Sequence, residues 1–512
     1  MSADGGRCMA SHAAQVCLTC KARKKKCDKA LPGCGYCLRK NLSCRYRRRA
    51  PQRTARPDLR DEAGVSVPLL IYTSTSADEV FAKVLSLIRN TGQFVDDITH
   101  NYFQGLHGYL PFVSRARFQE SLIALGATPP IDFSLLLLGI CLTSFALHGR
   151  GQSDFPRKNS LSDRKKLYLT AKALLAQVQV IQPPTIRIVQ ANLLLSIYEY
   201  CTGKPEEAFT SITTCARLAY NAKLHRAHYG LSTTKDDGGT VKCSTHFDDQ
   251  LQQDEAANTW WTIFICERSI WGEAANPDQP LVSRIPDGDQ TVLPAEQSGR
   301  QSSDPNAAWT VGNLRSVHGI GPFGRAAQAS WLLDKFVTVS QAKDVPDKLE
   351  KMQALDLELQ GFLSLLLQQH VKEGAILTMF KLHQNILDHR TNAVLVGSAQ
   401  LEGLIRRSRG ALDAATEMVL DIVETHATSL DSGISTAISY PYLVEAGLQH
   451  VRGKISSKGN VWLDDAETRF QRALRSLQSS RGPDENGSAN ISVYPTTLEN
   501  IFQGEVKTKA SN

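Results

Sequence analysis

From about residue 76 onward, apolar residues recur at steps of three and four, the period of helices that bury one face. In "TIRIVQANLLLSIYEY", Ile186, Val189, Leu193 and Ile197 keep that step. Gly203 then stops the helix, and Pro205 opens the next with Glu206 and Glu207 in its first turn. Ala208, Ile212, Cys215, Ala219 and Ala222 line this second helix, so the pair predicts an α-hairpin. "ALDAATEMVLDIVETHA" repeats the period through Leu412, Ala415, Val419 and Ile422. Two-residue alternation is scarce, and the body reads as all-α. The longest apolar run, "FSLLLLGICLTSFAL", is about 15 residues with polar Ser and Thr inside it, short of the roughly 18–20 that cross a bilayer. It predicts a buried helix, and no membrane partner is expected.

Turn-rich polar stretches break the pattern at 228–250 and 296–310. The chain therefore divides into a cysteine-rich head at 12–50, a flexible linker at 51–75, a helical body at 76–345, a helical continuation at 346–478 and a disordered tail at 479–512. The linker carries Pro51, Pro57 and Pro68 and no apolar heptads, which predicts no coiled coil. A homodimer would have to form elsewhere, or the protein binds a single site; the sequence is compatible with both. Within the tail, "ISVYPTTLENIF" mixes acidic and apolar residues as activation segments do.

Charge separates the head from the rest. Residues 1–60 hold sixteen Lys/Arg against three Asp/Glu, a net of +13, while the remaining 452 residues carry −6. A small cationic module on a mildly acidic body suggests a polyanion-binding head. The opening "MSADGGRCMASHAAQ" has no apolar run behind a basic start, so no secretory leader and an intracellular protein are expected.

Six of the 12 cysteines form one ruler laid down twice, with an offset of 17: Cys17, Cys20 and Cys27, then Cys34, Cys37 and Cys44. Cys8, Cys141, Cys201, Cys215, Cys243 and Cys266 are scattered and read mostly as small core hydrophobes. In a reducing compartment, clustered cysteines point to metal rather than disulfides. Zinc takes four thiolates in a tetrahedron. Six thiolates can serve one ion with two left over, or two ions if two sulfurs bridge. The exact repeat favours two equivalent sites, with Cys17 and Cys34 shared, Cys20 and Cys27 completing one ion, and Cys37 and Cys44 completing the other. A head of this size has little core of its own, and structural zinc contributes roughly 10–16 kcal/mol of apparent folding free energy per ion in small peptides. The six residues between Cys20 and Cys27 include five Lys/Arg and no Gly or Pro, which permits a short cationic helix there.

The spacing C-x2-C-x6-C-x6-C-x2-C-x6-C, the basic run "KARKKK", Pro32 and Asn41 resemble the fungal zinc binuclear cluster transcription factors. The resemblance implies that the basic helix enters the major groove and that Arg23 and Lys24 contact a CGG-type triplet. Arg and Lys suit the O6 and N7 acceptors of guanine. Lys21, Lys25, Lys26, Arg45, Arg47, Arg48 and Arg49 are expected on phosphates, adding affinity without sequence information. "KARKKK" and "RYRRR" also read as nuclear-import signals. The body is similar to the same family's helical middle homology region over roughly 95–295, through "ITHNYFQGLHGYLPFVSRARF", "RLAYNAKLHR", "NTWWTIFICERSIWG" and "RIPDGDQTVLP". Two departures are Ala257 and Asn258 where arginines are usual, and Lys223 where glycine is usual. Trp260 and Trp261 are expected as core aromatics.

Enzyme motifs are poorly supported. "GIGPFG" at 319–324 matches a dinucleotide loop on paper but lacks a preceding buried strand, and it reads as a helix-entry loop. "GISTA" at 433–437 lacks the second glycine of a nucleophile elbow. His107 and His225 read as surface or satisfied core residues. The expected protein is a nuclear, zinc-dependent, DNA-binding regulator of RNA polymerase II transcription working with the transcription machinery. A pathway-specific activator, over a secondary-metabolite gene cluster, is the specific expectation. The alternative is an enzyme with a structural zinc appendage.

Overall fold

A computed structural model describes residues 16–31, 34–40, 44, 76–123, 129–147, 161–229, 246–273, 279–285, 287–296, 309–341, 345–366, 373–388, 399–431, 439–454 and 461–481. The expected linker at 51–75, "RYRRR" and "GISTA" lie outside these residues, as does the expected tail from 482 onward. The chain divides into two compact units, Met1–Thr73 and Ser74–Asn512. The first contains two one-turn helices, α1 (Leu18–Ala22) and α2 (Gly35–Arg39).

The second unit is a succession of helices. Its first half comprises α3 (Ala77–Asn90), α4 (Val95–Gln104), α5 (Leu106–Tyr109), α6 (Arg115–Ile123), α7 (Ile131–Leu147), α8 (Leu161–Ile181), α9 (Ile186–Cys201) and α10 (Pro205–Asn221). Then come α11 (His246–Trp271), α12 (Pro322–Ser340), α13 (Val345–Leu366), α14 (Glu373–Asp388), α15 (Ala399–Asp431), α16 (Tyr440–Lys454) and α17 (Val461–Arg481). Among the described residues, extended pairing is confined to one isolated antiparallel bridge, Val292 with Thr310. The all-α reading of the body holds. One continuous apolar cluster runs from Val80 to Leu477.

The body starts at a capping box. Ser76 Oγ accepts the Glu79 N–H at 3.2 Å, and the Glu79 carboxylate accepts the Ser76 N–H at 3.4 Å. The apolar run predicted to be buried is α7, which packs against α3, α4, α8 and α9. Its interior hydroxyls are satisfied locally or across helices: Thr143 donates to Gly139 O, and Ser144 to Ile98 O, both at 3.0 Å. Among the described residues, no helix is long and apolar enough to cross a membrane.

The α9–α10 hairpin forms as the pattern predicts. Gly203 adopts φ +78° after α9, with Gly203 N–H on Tyr200 O and Lys204 N–H on Glu199 O, each at 3.0 Å. That is a Schellman ending, and Pro205 follows at the first position of α10. At the end of α10, Lys223 occupies the position where the resemblance expects glycine, and it also adopts the left-handed conformation, at φ +61°.

Trp260 and Trp261 of α11 are core aromatics, each 1 % exposed. Trp260 packs edge-on against Tyr220 at 4.9 Å, and Trp261 donates its indole N–H to Val292 O. Asn258, in place of an arginine, donates to both Pro111 O and Ala295 O, tying α11 to two loops. Two turns beyond Trp261, buried Arg268 stacks over Phe264 at 3.7 Å and bonds to Glu267, Asp334 and Ser283. Glu267 in turn accepts the Val282 and Ser283 N–H groups, so this pair pins the "RIPDGDQTVLP" approach to α11 and α12. Cys141, Cys215 and Cys266 are buried, as expected of core hydrophobes. His107 is satisfied by Val113 O at 3.0 Å.

Lys223 gives a direct stability test, because a β-carbon in the left-handed region costs roughly 1–2 kcal/mol. Lys223→Gly should raise the denaturation midpoint by an amount worth about 0.5–1 kcal/mol after the added freedom of the unfolded chain is subtracted. A lower midpoint would show that the Lys223 side chain stabilises the fold enough to outweigh its backbone strain.

Candidate metal centre and nucleic-acid interface

The first unit is organised by sulfur. Among the described residues, its buried ones are Cys17, Cys20, Cys34 and Cys37, with Cys27, Cys44 and Tyr36 packed beside them. Cys17 and Cys34 are the N-caps of α1 and α2, and each thiol accepts the N–H of the cysteine three residues on, at 3.4 Å. The twofold ruler in the sequence is thus a twofold arrangement of helix starts.

Two sets of four thiols converge: Cys17, Cys20, Cys27 and Cys34, and Cys17, Cys34, Cys37 and Cys44. Within each set, all sulfurs lie within 4.8 Å of one another. Cys17 and Cys34 belong to both sets. Sulfurs placed 2.3 Å from a central zinc define a tetrahedron with edges of about 3.8 Å. The edges Cys17–Cys34, Cys17–Cys37 and Cys20–Cys34 are 3.7, 3.8 and 3.6 Å, and Cys20 also lies 3.9 Å from Cys37 of the other set. The set therefore fits two zinc ions with two shared thiolates. Cys17, Cys20, Cys27 and Cys34 would hold one ion, and Cys17, Cys34, Cys37 and Cys44 the other.

Without metal the thiols oppose one another. Burial, then the neighbouring thiols, push Cys37 up to about 12 and Cys20 above the ordinary thiol range. Burial also raises Cys17. The outer thiols move the other way: the Cys17 N–H holds Cys27 down at about 7, and the Cys34 N–H lowers Cys44. Zinc ligands must be thiolates, and only dications can hold the inner ones ionised together. Asp28 stands beside the cluster, its carboxyl held below the usual range by the Ala30 and Gly35 N–H groups.

The basic stretch after Cys20 departs from the expected helix. α1 lies earlier, at Leu18–Ala22, and Arg23 caps it. Lys24 follows at φ +51°. Lys24 N–H bonds Lys21 O, and Lys25 N–H bonds Cys20 O, the two bonds of a Schellman ending. Lys and Arg favour continuing a helix, but Cys27 has to return to the cluster, and the turn at Lys24 makes that return. Lys21, Arg23, Lys24, Lys25 and Lys26 are all exposed. Arg45, Arg47, Arg48 and Arg49 lie outside the described residues.

Among the described residues, the motif match "GIGPFG" is closed by the chain's own groups. In "GIGPFG", Gly321 is the N-cap of α12 and Pro322 its first residue, the expected helix entry. The helix-start N–H groups of Phe323 and Gly324 are taken by the chain's own Glu296 carboxylate. A cluster the sequence reading missed joins α13, α14 and α15: His383 lies 3.2 Å from Asp356 and 3.1 Å from Ser408. All three side chains are buried, so the cluster acts as a polar tie between helices.

Shared sulfurs make a specific demand on mutants. Cys17→Ser should disturb both metal sites, lowering bound zinc toward zero, whereas Cys20→Ser should remove a ligand from one site only and leave about one ion per chain. Zinc counted per chain after gel filtration reads this directly, and equal zinc loss in both variants would contradict sharing.

Comparison with known families agrees with this geometry. Residues 15–53 match the fungal Zn(2)-Cys(6) binuclear cluster domain, and residues 99–271 match the fungal specific transcription factor domain. The chain is similar to Transcription factor BOA15 of Botryotinia fuckeliana (strain B05.10), with 31% identity over 131 residues, 26% of this chain and 68% of that protein. It is also similar to Transcription factor gsfR2 of Penicillium aethiopicum, with 51% identity over 37 residues, 7% of this chain and 9% of that protein. With its paired four-sulfur sites and its helical body, the chain belongs to the fungal Zn(2)-Cys(6) binuclear cluster transcription factors.

Proposed function

We propose that this protein reads CGG-type half-sites in double-stranded DNA through the turn that ends α1, and that it acts in the nucleus as a regulator of RNA polymerase II transcription. The observation that carries this reading is the position of Arg23 and Lys24. They are the cap and the left-handed residue of a Schellman ending, on a helix whose start is fixed by a cluster sulfur. Both side chains are exposed, and the turn leaves little freedom in where they start. A rigid pair of cations suits bidentate guanine recognition. Lys21, Lys25 and Lys26 supply phosphate contacts, and Arg45, Arg47, Arg48 and Arg49 extend that role along the chain.

The finer role is an activator dedicated to one pathway, a secondary-metabolite gene cluster. The helical body matched to the fungal specific transcription factor domain supports a regulatory role of this kind. Comparing transcripts between deletion and overexpression strains tests this role, and unchanged cluster genes would remove it. The enzyme alternative draws no support from "GIGPFG", whose helix start is filled by Glu296.

Selection of bound sequences from a random duplex pool by the full-length protein should return CGG triplets. Because Lys24 is left-handed, Lys24→Gly preserves the turn while removing the amine. It should weaken CGG against scrambled sites by about 1–3 kcal/mol, as should Arg23→Ala, with zinc content unchanged. Lys25→Ala should weaken all sequences alike and reduce the salt dependence. The opposite ranking would reassign the base contacts.

A further inference from the structure

The two halves of the cluster are related by an offset of 17, but among the described residues one contact has no counterpart. Asp28 follows Cys27, and the residue at the equivalent place after Cys44 is Arg45. A guanidinium accepts no hydrogen bond, so whatever Asp28 accepts is accepted on one side only. Its carboxylate takes the Gly35 N–H, with oxygens at 2.9 and 3.1 Å, and the Ala30 N–H at 3.3 Å.

Gly35 N–H is the first orphan donor of α2, and Gly35 immediately follows the shared ligand Cys34. Asp28 immediately follows Cys27, a ligand of the first set only. The bond therefore joins a ligand of one ion to the backbone carrying the bridging sulfur. Cys34 itself caps the third residue of α2, so side chains on either side of the connection satisfy two donors of this helix.

A β-carbon at residue 35 would displace the carboxylate. One placed there would stand 2.6 Å from Asp28 Oδ2 and 3.2 Å from Arg39 Nη1. The equivalent residue in the first half is Leu18, which carries a full side chain. The glycine and the aspartate thus form one device. Lys29, between Asp28 and Ala30, adopts φ +61°, and the Asp28–Ala30 bond closes the turn that holds it there.

We propose that Asp28 is a positioning residue that seats α2 against the first half of the cluster, so that Cys37 and Cys44 depend on it more than Cys20 on α1 does. Outer-shell partners of this kind fix ligand orientation, and their loss typically costs 10–100-fold in metal affinity. The inference concerns the zinc centre alone and stands whichever DNA sequence is read.

The test uses the full-length, zinc-loaded protein and alkylation by iodoacetamide, followed at each cysteine by mass spectrometry. Asp28→Ala should expose Cys37 and Cys44 to alkylation about tenfold faster, with Cys20, on α1, close to its original rate. Asp28→Asn keeps one acceptor oxygen and should restore most of the protection. Gly35→Ala, which changes no charge, should reproduce Asp28→Ala by displacing the carboxylate. Unchanged rates in Asp28→Ala, or equal acceleration at Cys20, Cys37 and Cys44, would overturn the proposal. So would Asp28→Asn behaving like Asp28→Ala, since the effect would then be one of charge. If Asp28→Ala fails to retain zinc, the Asn and Gly35→Ala variants decide the matter by the same readout.

Discussion

Six thiolates packed at the edge length of a zinc tetrahedron cannot share that space without cations, and everything in the first unit follows from this. Six negative charges against two dications leave a net of about −2, which the surrounding lysines and arginines offset. The buried residues of this unit are cysteines, with no aliphatic core among the described residues to replace them. One-turn helices such as α1 and α2 do not persist in water, because nucleation costs more than a single turn returns. Metal coordination supplies the missing free energy and also fixes where each helix begins.

That fixed start controls the cationic surface. Because Cys17 caps α1 and Cys27 must come back to the same ion, the six residues between Cys20 and Cys27 have to reverse direction. The reversal occurs at Lys24, in a backbone region that L-residues other than glycine, asparagine and aspartate seldom adopt. Strain at a residue with an exposed cationic side chain fits the DNA contact proposed for Lys24, a place where a contact would matter more than local stability. The body is held differently, by one extended apolar cluster crossed by a few buried polar ties such as Arg268–Glu267 and His383–Asp356.

Much of this was legible in the sequence, for physical reasons that differ from part to part. The cysteine ruler encodes the metal sets directly, because ligand spacing is geometry. The α9–α10 hairpin was legible because Gly203 and Pro205 act locally, and the paired tryptophans because large aromatics seldom stay outside. The end of α1 was not legible: local propensity favoured a helix through "KARKKK", and the demand that Cys27 return to the cluster prevailed. Asp28 was overlooked although the signal was there, an acid breaking the repeat where Arg45 stands in the second half, with a glycine seven residues on. His383, Asp356 and Ser408 are more than twenty residues apart in sequence, and only helix packing brings them together. Lys223 shows the converse, a left-handed turn at a position where the resemblance leads one to expect glycine.

The most direct measurement of the central claim is metal stoichiometry combined with coordination, read by elemental analysis and X-ray absorption on the full-length protein. Sharing of Cys17 and Cys34 predicts two zinc ions per chain with four sulfurs around each, which six cysteines can provide only by bridging. One zinc per chain, or two zincs each completed by nitrogen or oxygen, would contradict it.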